Sequence, residues 1–174
     1  MLLPSRRLIL ATLALALAGA CASPASYTAM VPEIPPGQTA GATLRNAVAV
    51  GAVTIGQDTG TPWTSAVRPE QVQQALVQAL ANNQLGAANG RYRLDAVLLQ
   101  LERPFAGFAM TVTATIAYRM TDANGTVVYT RTLKGLGTAT LDDAIDNNNR
   151  LRIADQRAIR ANIQQMILDL LALP

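Results

Sequence analysis

The four residues Asp122-Ala123-Asn124-Gly125 restrict the fold of this chain more than any others. They lie between two segments of strand character, 111–120 and 126–135. Asn-Gly tolerates the positive φ angles of a tight hairpin turn, so the two segments are expected to pair antiparallel. In the first of them Val112, Ala114, Ile116, Tyr118 and Met120 alternate with Thr111, Thr113, Thr115 and Arg119. One face is therefore apolar and the other polar, as in a sheet covered on one side only.

The remaining punctuation extends this hairpin into a domain. Residues 47–55 (AVAVGAVTI) form an apolar run of strand length, with Gly51 as a candidate bulge. A turn-rich loop, 56–67, follows. Pro69 suits a first helical position, Glu70 complements the helix dipole, and Val72, Leu76 and Leu80 recur at helical spacing, giving a helix to about Asn83. Residues 91–102 (RYRLDAVLLQLE) alternate and then turn apolar on both faces, which predicts a strand partly covered on both sides. Residues 150–173 predict a long helix with Ala158, Ile159, Ile163, Met166, Leu170 and Leu173 on its apolar stripe. The order is β-α-β-β-β-α. The expected fold class is α+β, an antiparallel sheet of about four strands with two helices on one face. A single domain is expected over 46–174.

The N-terminal part reads differently. Residues 1–7 carry Arg6 and Arg7, an apolar run follows over 8–17, and small residues Ala18, Gly19 and Ala20 precede Cys21. This is the anatomy of a secretory signal peptide over 1–20, and the run is too short for a membrane span. The chain holds 14 Lys plus Arg against 11 Asp plus Glu, and two of the 14 lie in this leader, so the remainder is nearly neutral. Its arginines form no stripe or run, and no nucleic-acid partner is expected.

Two cleavage readings stand. Ala18-Gly19-Ala20 permits ordinary export of a soluble protein beginning at Cys21. The sequence Leu17-Ala18-Gly19-Ala20-Cys21 also resembles the lipobox of bacterial lipoproteins, with Ala18 where that motif usually has Leu. The resemblance implies a thioether-linked diacylglycerol on the Cys21 sulfur, cleavage before it, and acylation of the new amino terminus. Cys21 is the only cysteine, and an unpaired thiol is unusual in an exported chain; lipidation consumes it. Ala22 after it implies, by the sorting rule of enterobacterial lipoproteins, the periplasmic face of the outer membrane. Residues 21–45, with Pro24, Pro32, Pro35 and Pro36 and no apolar period, read as the lipidated N-terminus and a proline-rich tether.

Catalytic options are few. With no histidine, Ser-His-Asp and Cys-His systems and the common zinc sets are excluded. Asp142, Asp143 and Asp146 are the candidates for acid-base or cation chemistry, set against helix capping and turn chemistry. No enzyme activity, metal or cofactor is expected. Trp63, Phe105, Phe108 and Met110 form candidate lipid or partner contacts, the last three on a loop between strands that Pro104 and Gly107 keep irregular; the competing reading has these side chains capping the core. Arg157 and Arg160 lie one turn apart and could meet an acidic surface or phosphate, or form a solvated face with Asp155 neutralising one of them. Asn162, close to the apolar stripe, is expected to bond nearby backbone.

The lipobox-like start, the proline-rich stretch, the element order, "YRLDAVLL" and "RIADQRAIRANI" together resemble small bacterial envelope lipoproteins. Among these are the lipopolysaccharide-assembly lipoprotein and the auxiliary lipoproteins of ABC-type lipid transport systems. The resemblance implies a lipid-anchored, non-enzymatic accessory protein with an envelope protein partner. A soluble periplasmic enzyme using the aspartates, and a structural envelope protein, are the alternatives.

Overall fold

The structure, a computed structural model, describes residues 25–56, 67–104 and 107–173. Four strands, β1 (Val48–Ile55), β2 (Tyr92–Glu102), β3 (Met110–Thr121) and β4 (Val127–Ala139), form one sheet in the order β1-β2-β3-β4. Two helices, α1 (Pro69–Asn82) and α2 (Asn147–Leu171), lie on one face. The element order is β-α-β-β-β-α, and the class is α+β. The sheet is mixed: β2-β3 and β3-β4 are antiparallel, whereas β1 and β2 are parallel. A strand-helix-strand crossover returns the chain in the direction it started, so α1 between β1 and β2 dictates the parallel pair.

Alternation on β3 holds over its whole length. Met110, Val112, Ala114, Ile116, Tyr118 and Met120 are buried under the helices. Thr111 and Thr113 are turned to the other face, where the Thr111 and Thr138 hydroxyls pair at 2.9 Å. The hairpin after β3 needs only one residue with positive φ, Gly125 (83°). The Asp122 carboxylate closes the turn by accepting from the backbone N–H of Asn124 and of Thr126, each at 2.9 Å. Glycine there avoids the Cβ clash that disfavours left-handed backbone.

Irregularities in β1 and β2 re-aim those strands. The β1 register shifts between Val50 and Val53, at Gly51, and the extra N–H, that of Ala52, is taken up by Asp95 Oδ1 at 2.6 Å. The β2 register shifts between Leu98 and Gln100. Leu94, Ala96 and Leu98 face the core, and after the shift Leu101 does. The apolar tail of β2 thus records a bulge that moves the inward position by one residue, rather than cover on both faces.

The helices dock by shape. Val72, Ala75, Leu76, Ala79 and Leu80 of α1 are buried, as are Ala158, Ile159, Ile163, Met166 and Leu170 of α2. α2 begins three residues earlier than its apolar stripe suggests because Asp146 caps it, Oδ2 accepting from Asn149 N–H at 2.8 Å. It crosses β4 over Gly135 and Gly137. A Cβ at Gly135 would fall on Ala158 O and Asn162 N, and one at Gly137 on Ala158 N and Ala154 O. These two glycines let helix and strand backbones touch.

The described part of the expected tether packs against the domain. Ala25, Met30, Ala40 and Leu44 are buried, and a 3₁₀ turn, Thr28–Met30, contacts both α2 and α1. At one end Gln71 Nε2 donates to Ala25 O at 2.6 Å; at the other, Asn46 N–H donates to Gln84 O at 2.8 Å and Arg91 donates to Thr43 O. Gln71 opens α1 and Gln84 follows its end, so this segment runs the length of the helix as a strap. Its prolines suit an extended chain without a hydrogen-bond ladder. Met30, Leu44 and the half-buried Val31 and Ile34 supply apolar anchors without any period. The packed domain therefore starts by Ala25, not near Asn46.

Candidate functional site

The topology gathers the chemistry-bearing loops at one end. β1, β2 and β4 all finish there and β3 starts there. The β2–β3 and β4–α2 loops consequently share this end; α1 starts on the same side of the domain but farther back, beside the middle of β1, where Gln73 Nε2 donates to Gly51 O at 3.3 Å.

Arg150 ties the loops together. From the first turn of α2 its guanidinium donates to Ile145 O (2.7 Å), Ala144 O (3.1 Å), Gly107 O (3.3 Å) and the Asn147 side chain. A cation in a first helical turn opposes the helix dipole, and these four acceptors compensate it. One buried side chain thus fixes residue 107 beside residue 145. Their neighbours project outward: Phe108 is 82% exposed and Ile145 89%, the two most exposed large apolar residues among those described, with Leu141 exposed beside them in sequence.

Two ion pairs stiffen the base of these loops. Arg103 Nε and Nη2 each donate to an Asp155 carboxylate oxygen at 2.9 Å, both side chains being 3% exposed. Burial pushes the Asp155 carboxyl above its ordinary range, and the Arg103 guanidinium opposes this. Arg157 donates to both Asp143 oxygens, at 2.6 and 2.7 Å, and to Thr138 O at 2.6 Å. The Arg157 hydrogen bonds, helped by the Thr140 N–H, lower the Asp143 pKa to about 2.

These contacts sort the expected residues. Phe108 is on the surface, while Met110 opens β3 with its side chain in the core, because the residue that starts an alternating strand takes the face of that alternation. Met110 is therefore packing, not a contact. Arg157 is held by Asp143, leaving the exposed Arg160 outside that bridge. Asp155 serves Arg103 rather than either of them. Asp146 caps α2 and Asp143 accepts from Thr140 N–H at 2.9 Å as well as from Arg157, so both take up capping and turn roles. Cys21, Trp63 and Phe105 lie outside the described residues.

Sequence reasoning missed Ile145, Leu141 and the organiser Arg150. A signal existed for each. Leu141 and Ile145 are lone apolar residues in the polar stretch TLDDAIDNNN, and Arg150 is a cation at a helix start. Nothing local announces the Arg103–Asp155 pair, which joins residues far apart in sequence.

A second buried polar centre lies under α2. Asn162, fully buried, accepts from Tyr118 OH at 2.9 Å and donates to Ala114 O at 3.0 Å and Leu133 O at 2.7 Å. Burial, with a smaller contribution from Tyr129, pushes the Tyr118 hydroxyl well above its ordinary pKa. The Asn162 bonds stitch α2 to β3 and β4.

No family model and no curated protein matches this sequence. Solved structures share its fold. A Xanthomonas campestris protein of the DUF330 family superposes with a TM-score of 0.55 at 14% identity, covering 74% of this chain and 87% of that one. A candidate lipoprotein from Caulobacter crescentus gives 0.50 at 15% identity, over 74% of this chain and 91% of that one. A minor lipoprotein from Acinetobacter baumannii gives 0.50 at 14% identity, over 74% and 94% respectively. At these identities the likeness is one of fold.

Proposed function

We propose that the protein is a lipid-anchored, non-enzymatic accessory lipoprotein of the bacterial envelope, held at the periplasmic face of the outer membrane through Cys21 and supporting an assembly or lipid-transport complex. The observation that carries this reading is the continuity between the lipobox-like sequence ending at Cys21 and a domain already packed at Ala25. On this reading Cys21 is the attachment point of that domain. Two proteins that share the fold being described as lipoproteins supports the same reading. So does the chemistry of the loop end, where Asp143, Asp146, Arg150 and Arg157 are engaged in holding structure.

Crosslinking in intact cells followed by affinity recovery of the full chain tests the accessory role. An envelope assembly or lipid-transport component in the crosslinked product is the expected result. Wild-type recovery without any envelope partner contradicts it. Cys21→Ser should move the protein from the membrane to the soluble fraction and lower the yield of that product.

A further inference from the structure

Anchoring at Cys21 has a geometric consequence. Ala25 is buried and its carbonyl is held by Gln71 in the first turn of α1. Four residue steps separate it from Cys21, a reach of about 14 Å when fully extended. The bilayer that takes the acyl chains therefore lies within about that reach of the first turn of α1, beside Gly51 of β1; β2 runs on past the end of β1 to Glu102, and the β2–β3 and β4–α2 loops project farther toward the same end. On this end stand Phe108 and Ile145, 82% and 89% exposed, with Leu141. Arg150 holds the backbone beneath them on both loops, so Phe108 and Ile145 are presented together.

We propose that this loop end is a membrane-facing surface, with Phe108, Leu141 and Ile145 seated in the headgroup region of the bilayer that holds Cys21; this placement rests on the lipid anchor proposed above. The occupant is argued from the anchor: the short link reaches the domain at the start of α1, and the loops that carry these side chains project beyond it toward the same end. Apolar side chains on an otherwise polar surface gain by entering the headgroup and acyl boundary, and a second contact of this kind orients a domain that acyl chains alone would leave free to swivel. The ion pairs Arg157–Asp143 and Arg103–Asp155 fit this placement, because charge at the base of the loops is neutralised before it nears lipid. The Asn124-Gly125 turn, at the opposite end of the β3–β4 hairpin, then points away from the membrane.

The test uses the lipidated full chain with one added cysteine, Phe108→Cys, Ile145→Cys or Asn124→Cys, labelled with a polarity-sensitive fluorophore. Each is reconstituted into phosphatidylethanolamine and phosphatidylglycerol vesicles that contain a lipid-borne quencher. Labels at positions 108 and 145 should shift to the blue and lose most of their emission, while the label at 124 keeps its emission. Protein that floats with the vesicles but leaves the labels at 108 and 145 as bright as that at 124 overturns the docking and leaves the anchor standing; such a tip would be free for a protein partner. Protein that fails to float overturns the anchor and the docking with it.

Discussion

Asn162 is a fully buried polar side chain whose hydrogen bonds join the interior faces of α2, β3 and β4. It satisfies the Tyr118 hydroxyl and two strand carbonyls from the centre of α2. Truncation leaves the buried Tyr118 hydroxyl and Ala114 carbonyl, and the half-buried Leu133 carbonyl, without that partner, a buried group costing on the order of 1–3 kcal/mol when unmet. Asn162→Ala should therefore lower unfolding stability by about 3 kcal/mol or more, measured by urea denaturation at neutral pH. Asp143 acts at the surface and through pH. Its carboxyl is held at about 2 against an ordinary 3.8, so the stability it contributes is present above pH 4 and is lost as pH falls towards 2. Thermal melts of the wild type and Asp143→Asn should differ most near neutral pH and converge near pH 2. Residue roles were legible where position alone implies them. Asn162 beside an apolar stripe had to bond nearby backbone, and Asp146 before a helix suited a cap. The partners of Arg103 and Arg157 were not legible, since both ion pairs arise from the docking of α2 against the ends of β2 and β4.

Among the elements, the contact of α2 with β4 is set by two absent side chains. Gly135 and Gly137 lie on the inward face of β4, against the α2 backbone. Gly137→Val should displace the helix and lower stability by more than the about 1 kcal/mol span of strand propensity. Thermal unfolding checks this, with Thr138→Val, on the opposite face of the same strand, expected to change little. β3 and the two helices were legible because alternation and the i, i+4 recurrence report a single buried face; β1 and β4 were placed by an apolar run and by the Asn-Gly turn, and β4 runs to Ala139, past the expected 135, because its inward Gly137 has no side chain to mark the period. Two other features of the elements did not follow. The bulge after Leu98 changes the inward position without altering composition, so LLQL reads as apolar on both faces. The segment 25–45 buries isolated residues, Met30 and Leu44 among them, and a chain that packs without period leaves no pattern to read.

For the whole molecule, the strap decides how the domain meets its surroundings. A loose tether would let it range far from its attachment point; a strap packed from Ala25 leaves only four residue steps between Cys21 and the domain at the start of α1. With Cys21 lipidated and the loop tips docked as proposed, the domain, its short link and the apolar loop tips are expected to act as one oriented body. Everything at this scale depends on the state of Cys21, which the mass of the N-terminal peptide from protein extracted from cell membranes reports. The expected peptide begins at Cys21 and carries a diacylglyceryl thioether with an acylated amino terminus. An unmodified peptide beginning at Cys21, from protein recovered in the soluble fraction, would contradict the anchor and the orientation built on it.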